Sequence, residues 1–223
     1  NSCWVADTGN HQVVHLAENG SEVWRGGRFY QPLSVSTDPT DGSCWVADTS
    51  NSQVAKLAAD GAEVWRRGGF NRPQSVSVNP TDGSCWVADT WNNQVVHLGP
   101  DGAELWRSAA YPTFWEPACV SVNPGDGSCW VADNADNQVV HLAANGAELS
   151  RAGGFHWPQS VCVNPSDGSC WVADTVNNQV VHLAEAGADC AVTELPDRME
   201  SLEPVCAQIR ASGRRAVPLP LRL

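Results

Sequence analysis

Hydrophobic positions along this chain fall into short runs of four or five residues with period-two alternation, the pattern of half-buried β-strands. In one stretch the runs cover 75–78, 85–88, 94–98 and 103–106. Each is bounded by turn chemistry: Asn79-Pro80-Thr81-Asp82-Gly83, then Asp89-Thr90-Trp91-Asn92-Asn93, then Pro100-Asp101-Gly102. No segment carries helical spacing. The predicted product is a four-stranded antiparallel meander. Alone it is marginal, because its faces have nothing to pack on; stacked on other meanders it buries both faces and protects its edges.

The same unit recurs. Ser-Cys-Trp-Val-Ala-Asp begins at Ser2, Ser43, Ser84, Ser128 and Ser169, with spacings of 41, 41, 44 and 41 residues. A period of about 42 with β-type runs predicts an all-β fold, a β-propeller of four-stranded antiparallel blades with five repeats. Alternation places a large ring beside a small Ala on one face of each second strand. Trp4, Trp45, Trp86, Trp130 and Trp171 are therefore expected between neighbouring blades, as packing rather than as a cofactor site.

Three further repeated slots invite chemistry, and each has a structural reading. Asp7, Asp48, Asp89, Asp133 and Asp174 end the second strands and precede polar loops; a carboxylate there accepts backbone N–H bonds and fixes the turn, which outweighs a calcium reading. His15, His97, His141 and His182 share a third-strand slot, but Lys56 fills it in the second repeat. Lys is seldom fully buried, so the slot is expected near solvent, without metal. Cys3, Cys44, Cys85, Cys129 and Cys170 occupy one packing slot and are expected as unpaired thiols.

Composition sharpens the picture. Eleven Trp against four Phe and two Tyr reflect copying of one unit. Net charge is −12, and residues 1–192 carry 8 Lys/Arg against 21 Asp/Glu, which disfavours a phosphate-binding surface and predicts no nucleic-acid partner. No run reaches the roughly 18 apolar residues of a membrane span, so no membrane partner is expected either. Neither a cofactor nor a metal is implied, and a monomer is expected.

The segment Asp7-Thr8-Gly9-Asn10-His11-Gln12-Val13-Val14-His15-Leu16 and its four counterparts resemble the NHL-repeat family across residues 1–192. Only the first unit has Asn10-His11; later units read Asn-Asn-Gln, Asn-Ser-Gln or, at 136–138, Asp-Asn-Gln. The resemblance implies a propeller, within a family of ligand-, protein- and RNA-binding members, metal-containing peptide-amidating lyases, and calcium-dependent lactone and ester hydrolases. No lyase metal residue carries over, because the inner strands offer Ser or, at Cys119 and Cys162, Cys. Residues 1–209 are expected to form one propeller. In it 203–209, which resembles 116–122, supplies the inner strand missing from the first blade, and 210–223 is a tail, edge strand or loose end. The alternative is six blades with a degenerate last one.

Copies that differ point to function. The loops after the second strands and those entering the inner strands vary, and antiparallel alternation puts both on one end. That end is expected to gather Arg28, Tyr30, Arg72, Trp91, Tyr111, Trp115, Glu116, Asp136, His156 and Trp157 as a binding face for a peptide, glycan, small molecule or protein partner. Two alternatives stand beside it: a metal-dependent lyase or hydrolase using Glu116, Asp136 and His156, and a structural repeat protein without a ligand.

Overall fold

The computed structural model describes residues 2–184, 190–194 and 216–220. The proposed inner strand at 203–209 lies outside the described residues. The described backbone is all-β with a few single 3₁₀ turns, and divides into two compact units, Asn1–Pro117 and Ala118–Leu223.

The first unit holds three antiparallel sheets. β1 (Cys3–Asp7), β2 (Gln12–Leu16) and β3 (Glu22–Gly26) form a three-stranded sheet in that order. β4 (Ser34–Thr37), β5 (Cys44–Asp48), β6 (Gln53–Leu57) and β7 (Glu63–Arg67) form the second, and β8 (Ser75–Val78), β9 (Cys85–Asp89), β10 (Gln94–Leu98) and β11 (Glu104–Arg107) the third. The predicted strand 94–98 is reproduced and the fourth strand starts one residue later than its pattern suggested.

In the second unit, β12 (Pro117–Val122), β13 (Cys129–Asp133), β14 (Gln138–Leu142) and β15 (Glu148–Ala152) form one sheet. β16 (Pro158–Val163), β17 (Cys170–Asp174), β18 (Gln179–Leu183), β19 (Cys190–Glu194) and β20 (Ala216–Pro220) form another. β20 runs parallel to β19 at the sheet edge, the place where Pro is tolerated in a sheet.

Within each unit, the Trp–Ala face of one sheet packs on the Cys–Val face of the next. In the first unit Trp4 and Val13 meet Cys44, Val46 and Leu57, and Trp45, Ala47 and Val54 meet Cys85, Val87 and Leu98. In the second, Trp130, Ala132 and Val139 meet Cys170, Val172 and Leu183. The predicted packing holds for Trp4, Trp45 and Trp130, and Trp86 is buried as well. Trp171 departs from it. It is 42% exposed, because no described sheet of its unit follows the one that carries it.

The third-strand slot also corrects the sequence reading. His15, His97, His141 and Lys56 are buried, not solvent-facing. Each His lies flat on the Trp across the strand pair, at 4.1 to 4.3 Å for Trp4, Trp86 and Trp130, and Lys56 places its ammonium over Trp45. The polar edges of His97, His141 and His182 meet the Ser84, Ser128 and Ser169 hydroxyls at 2.8 to 2.9 Å. An imidazole stacked on one face and hydrogen-bonded at one edge has a polar atom satisfied away from water, which gives the Ser of these three repeats a role. The five repeated Cys are all unpaired thiols, as expected.

Candidate functional site

The repeated Asp builds the variable loops from below. Asp48, Asp89 and Asp174 are fully buried, and their Oδ1 atoms accept the backbone N–H groups of Tyr30, Asn71 and His156 at 2.7 to 2.8 Å. Each donor belongs to the loop entering the inner strand of the same sheet. Asn51, Asn92 and Asn177, three residues after their Asp, donate their side-chain amides to it and close the 3₁₀-type turn. On the fourth strand, Arg66 pairs with Asp48, Arg107 with Asp89 at 3.0 Å, and Arg151 with Asp133 at 3.7 Å. The signal for this was present but unread: Glu-x-x-Arg recurs at 22–25, 63–66, 104–107 and 148–151, and each Glu pairs with its Arg. Burial pushes Asp89 and Asp174 above the ordinary carboxylate range, against the pull of those amide and Asn donors.

A second clamp joins neighbouring loops. Gln31, Arg72, Glu116 and Trp157 sit in the left-handed region, with φ between 47° and 56°. Their N–H groups donate to the side chains of His11, Ser52, Asn93 and Asn137, which are themselves left-handed residues of the preceding loop. Backbone contacts complete the join: Ser50, Trp91 and Val176 donate to the carbonyls of Tyr30, Asn71 and His156. The two loop sets therefore lie on one end within each unit, as alternation required.

Within the first unit the side chains group in pairs. The Arg72 guanidinium lies over the Trp91 ring at 4.4 Å, Tyr111 meets Trp115 edge-on at 5.8 Å, and Tyr30 lies against His11 at 4.5 Å. His11 is a site residue the sequence reading missed, although it is the one slot where His replaces Ser or Asn. Tyr30, Trp91, Tyr111 and Trp115 are all substantially exposed. Arg28 lines an open hollow with Asn51, of the loop after β5, and Gln53. It also lines a cavity of about 180 Å3 with Trp24, Phe29, Leu57 and Arg66, at the seam between the first two sheets. That cavity exists because Gly26 stands where the next sheet has Arg67, whose guanidinium bonds the Gly102 carbonyl at 2.7 Å and pairs with Glu104. In the second unit, His156 and Trp157 are exposed and Asp136 acts electrostatically on Arg151. Among the described residues no three His, Cys, Asp or Glu side chains gather as a metal cage.

Two stretches, 70–98 and 155–183, match the NHL repeat model. Both stretches are NHL repeats. No curated protein matches the sequence. Among solved structures, a streptogramin B lyase is 14% identical, with a TM-score of 0.75 over 88% of this chain and 66% of its own. Virginiamycin B lyase from Staphylococcus aureus is 13% identical, with a TM-score of 0.75 over 88% and 67%. A chain of a nidogen–laminin complex is 14% identical, with a TM-score of 0.67 over 82% and 71%. The chain thus spans about two thirds of the length of these neighbours, and at such identity they establish the fold alone: an all-β propeller whose blades are the antiparallel sheets described above.

The variable loops are anchored by carboxylates that are consumed in holding backbone. What they present outward is aromatic and cationic surface on a backbone with little freedom left.

Proposed function

We propose that this NHL chain is a binding propeller whose loop end captures a protein segment. A binding or scaffold role agrees with the fold in general. The observation that carries the finer reading is the pairing of exposed aromatic rings with a doubly clamped backbone. Tyr30, Trp91 and Trp115 stay in water on loops fixed by Asp48, Asp89 and the left-handed contacts, so their ordering is already complete before a partner arrives. Rigid aromatic anchors beside an Arg are the residues that dominate protein recognition energetics. The nidogen–laminin neighbour lends support as an analogy of fold, and the lyase neighbours favour catalysis by fold only.

Panning a displayed random-peptide library on the immobilised protein tests this. Enriched peptides are expected to bind in the micromolar range and to lose at least tenfold in affinity on a Tyr30→Ala, Trp91→Ala, Trp115→Ala triple variant with unchanged melting temperature. Enrichment only of peptides that bind the triple variant equally well refutes the site. Binding of a glycan array in place of peptides refutes the partner class and keeps the site.

A further inference from the structure

The two seams of the first unit are copies of one another, and one of them is filled by a side chain that the other lacks. Between the second and third sheets Arg67 lies across the seam, its guanidinium donating to the Gly102 carbonyl at 2.7 Å and pairing with Glu104 at 3.6 Å. The seam between the first and second sheets has the same acceptors. Gly61 and Gly102 close equivalent turns, with φ of 86° and 80° and their N–H groups on the carbonyls of Ala58 and Gly99. Glu63 and Glu104 hold the same register, opposite Leu57 and Leu98. Only the donor differs. Gly26, opposite Val13, takes the slot that Arg67 takes opposite Val54, and a Cβ there would lie 2.2 Å from the Trp24 ring. Glu63 meets Arg66 through Oε2 alone, and among the described residues no hydrogen bond reaches its Oε1 or the Gly61 carbonyl. Both residues line the cavity of about 180 Å3 beside Trp24, Phe29 and Leu57.

We propose that this cavity binds an arginine carrying a free α-carboxylate, whose guanidinium takes the place that Arg67 fills in the next seam. The planar fork donates to Glu63 Oε1 and the Gly61 carbonyl, and the methylene stem lies against Trp24, Phe29 and Leu57. Arg66 is no obstacle, because Glu104 accepts Arg67 and Arg107 together. The carboxylate answers Arg28. That side chain is exposed, has no hydrogen bond or ion pair among the described residues, and with Glu63 lines both the cavity and the open hollow beside it. A cation at the rim of a cation site favours a ligand with an anion at its other end, and a carboxylate fits a guanidinium fork. The net charge of −12 favours approach of the guanidinium end. The free amino acid and the C-terminus of a peptide share this chemistry. None of the exposed aromatic rings of the loop end takes part.

Isothermal titration calorimetry of the intact chain with a ligand series reads the site. L-Arginine is expected to bind. L-Citrulline, which keeps the shape of the fork without its charge, and agmatine, which keeps the guanidinium without the carboxylate, should each bind at least about tenfold more weakly. Arg28→Ala should bring arginine down to the level of agmatine and leave agmatine unchanged; with no partner to lose, this variant should melt with the wild type. Glu63→Gln should weaken both ligands at least about tenfold, and should it melt early, the citrulline comparison on the wild type carries the same test. A short peptide ending in arginine separates the sources: tighter binding than the free amino acid assigns a chain terminus, weaker binding the amino acid itself. The Tyr30→Ala, Trp91→Ala, Trp115→Ala variant should bind arginine as the wild type does, so this site and the loop end stand or fall separately. No arginine binding up to about 10 mM overturns the proposal. So does citrulline or agmatine bound as tightly as arginine, Arg28→Ala with unchanged arginine affinity, or loss of arginine binding in the triple variant.

Discussion

Trp45→Ala and Trp171→Ala place the same truncation in the same repeat slot with different surroundings. Trp45 is fully buried, meets Trp65 edge-on at 4.7 Å and lies under the Lys56 ammonium. Roughly 200 Å2 of ring surface at about 25 cal/mol per Å2 sets a ceiling near 5 kcal/mol for its burial. The seam cannot close over the vacated volume, because β5 and β9 are held by their own ladders, so the loss is expected at about 3–5 kcal/mol. Trp171 already exposes nearly half its ring, and its replacement should cost roughly 1–2 kcal/mol. Urea unfolding at low micromolar concentration, followed by far-UV circular dichroism, measures both. A Trp45→Ala loss below about 1 kcal/mol, or equal losses at the two positions, refutes the seam-packing argument.

Other outcomes follow from the same geometry. Asp48→Ala removes the acceptor for the Tyr30 amide and the partner of Arg66, and should cost about 3 kcal/mol while opening the 28–31 loop to limited proteolysis; a loss under about 1 kcal/mol removes Asp48 as the anchor. Burial raises the thiols of Cys44, Cys85 and Cys170, so mass-mapped alkylation of the native protein should reach Cys3 and Cys162 first; equal rates at Cys85 and Cys3 contradict the packing. The Ser169 hydroxyl holds Asp167 below the ordinary carboxylate range, so its contribution is present above that range and fades as pH falls through the lowered pKa. Asp89, raised by burial, runs oppositely: its contribution is full below its ordinary pKa and lost as pH rises through the raised one. A carboxyl 13C titration in which Asp167 titrates above Asp89 contradicts both assignments.

The blades were legible because strand period, turn residues and repeat length all pointed to one answer, and the left-handed Gly of the Asp-Gly turns at Gly42 and Gly83 confirms the turn chemistry. The face of Trp45 was legible from a single alternation with Ala47. The His slot was misread because Lys56 was judged by its charge alone. Its stem and ammonium lie on Trp45, a contact that depends on the cross-strand partner and not on the run containing Lys56. Trp171 was misread because recurrence predicts a slot, not whether a next sheet covers it. At the candidate site, the loops and their common end within each unit followed from antiparallel alternation. The clamps did not, since they join Asp48 to Tyr30 and Asn93 to Glu116 through contacts between loops remote in sequence. Arg28 was grouped with the loop residues because it lies in the variable loop entering β4, and it lines a hollow with Asn51 as well as the cavity beside Gly26, which no alternation pattern announces.

The left-handed loop positions separate two tasks that most binding loops combine. At Gln31, Arg72, Glu116 and Trp157 the backbone N–H carries the structural work through the preceding loop, and the four side chains have nothing in common. A left-handed conformation costs an unbranched residue other than glycine, Asn or Asp about 1 kcal/mol, so exchanging one such residue for another is nearly neutral to the fold, β-branched residues excepted. These four sites therefore behave as sockets: specificity can be rewritten there by single substitutions while the frame stays constant, which makes the chain a ready platform for selecting new binders.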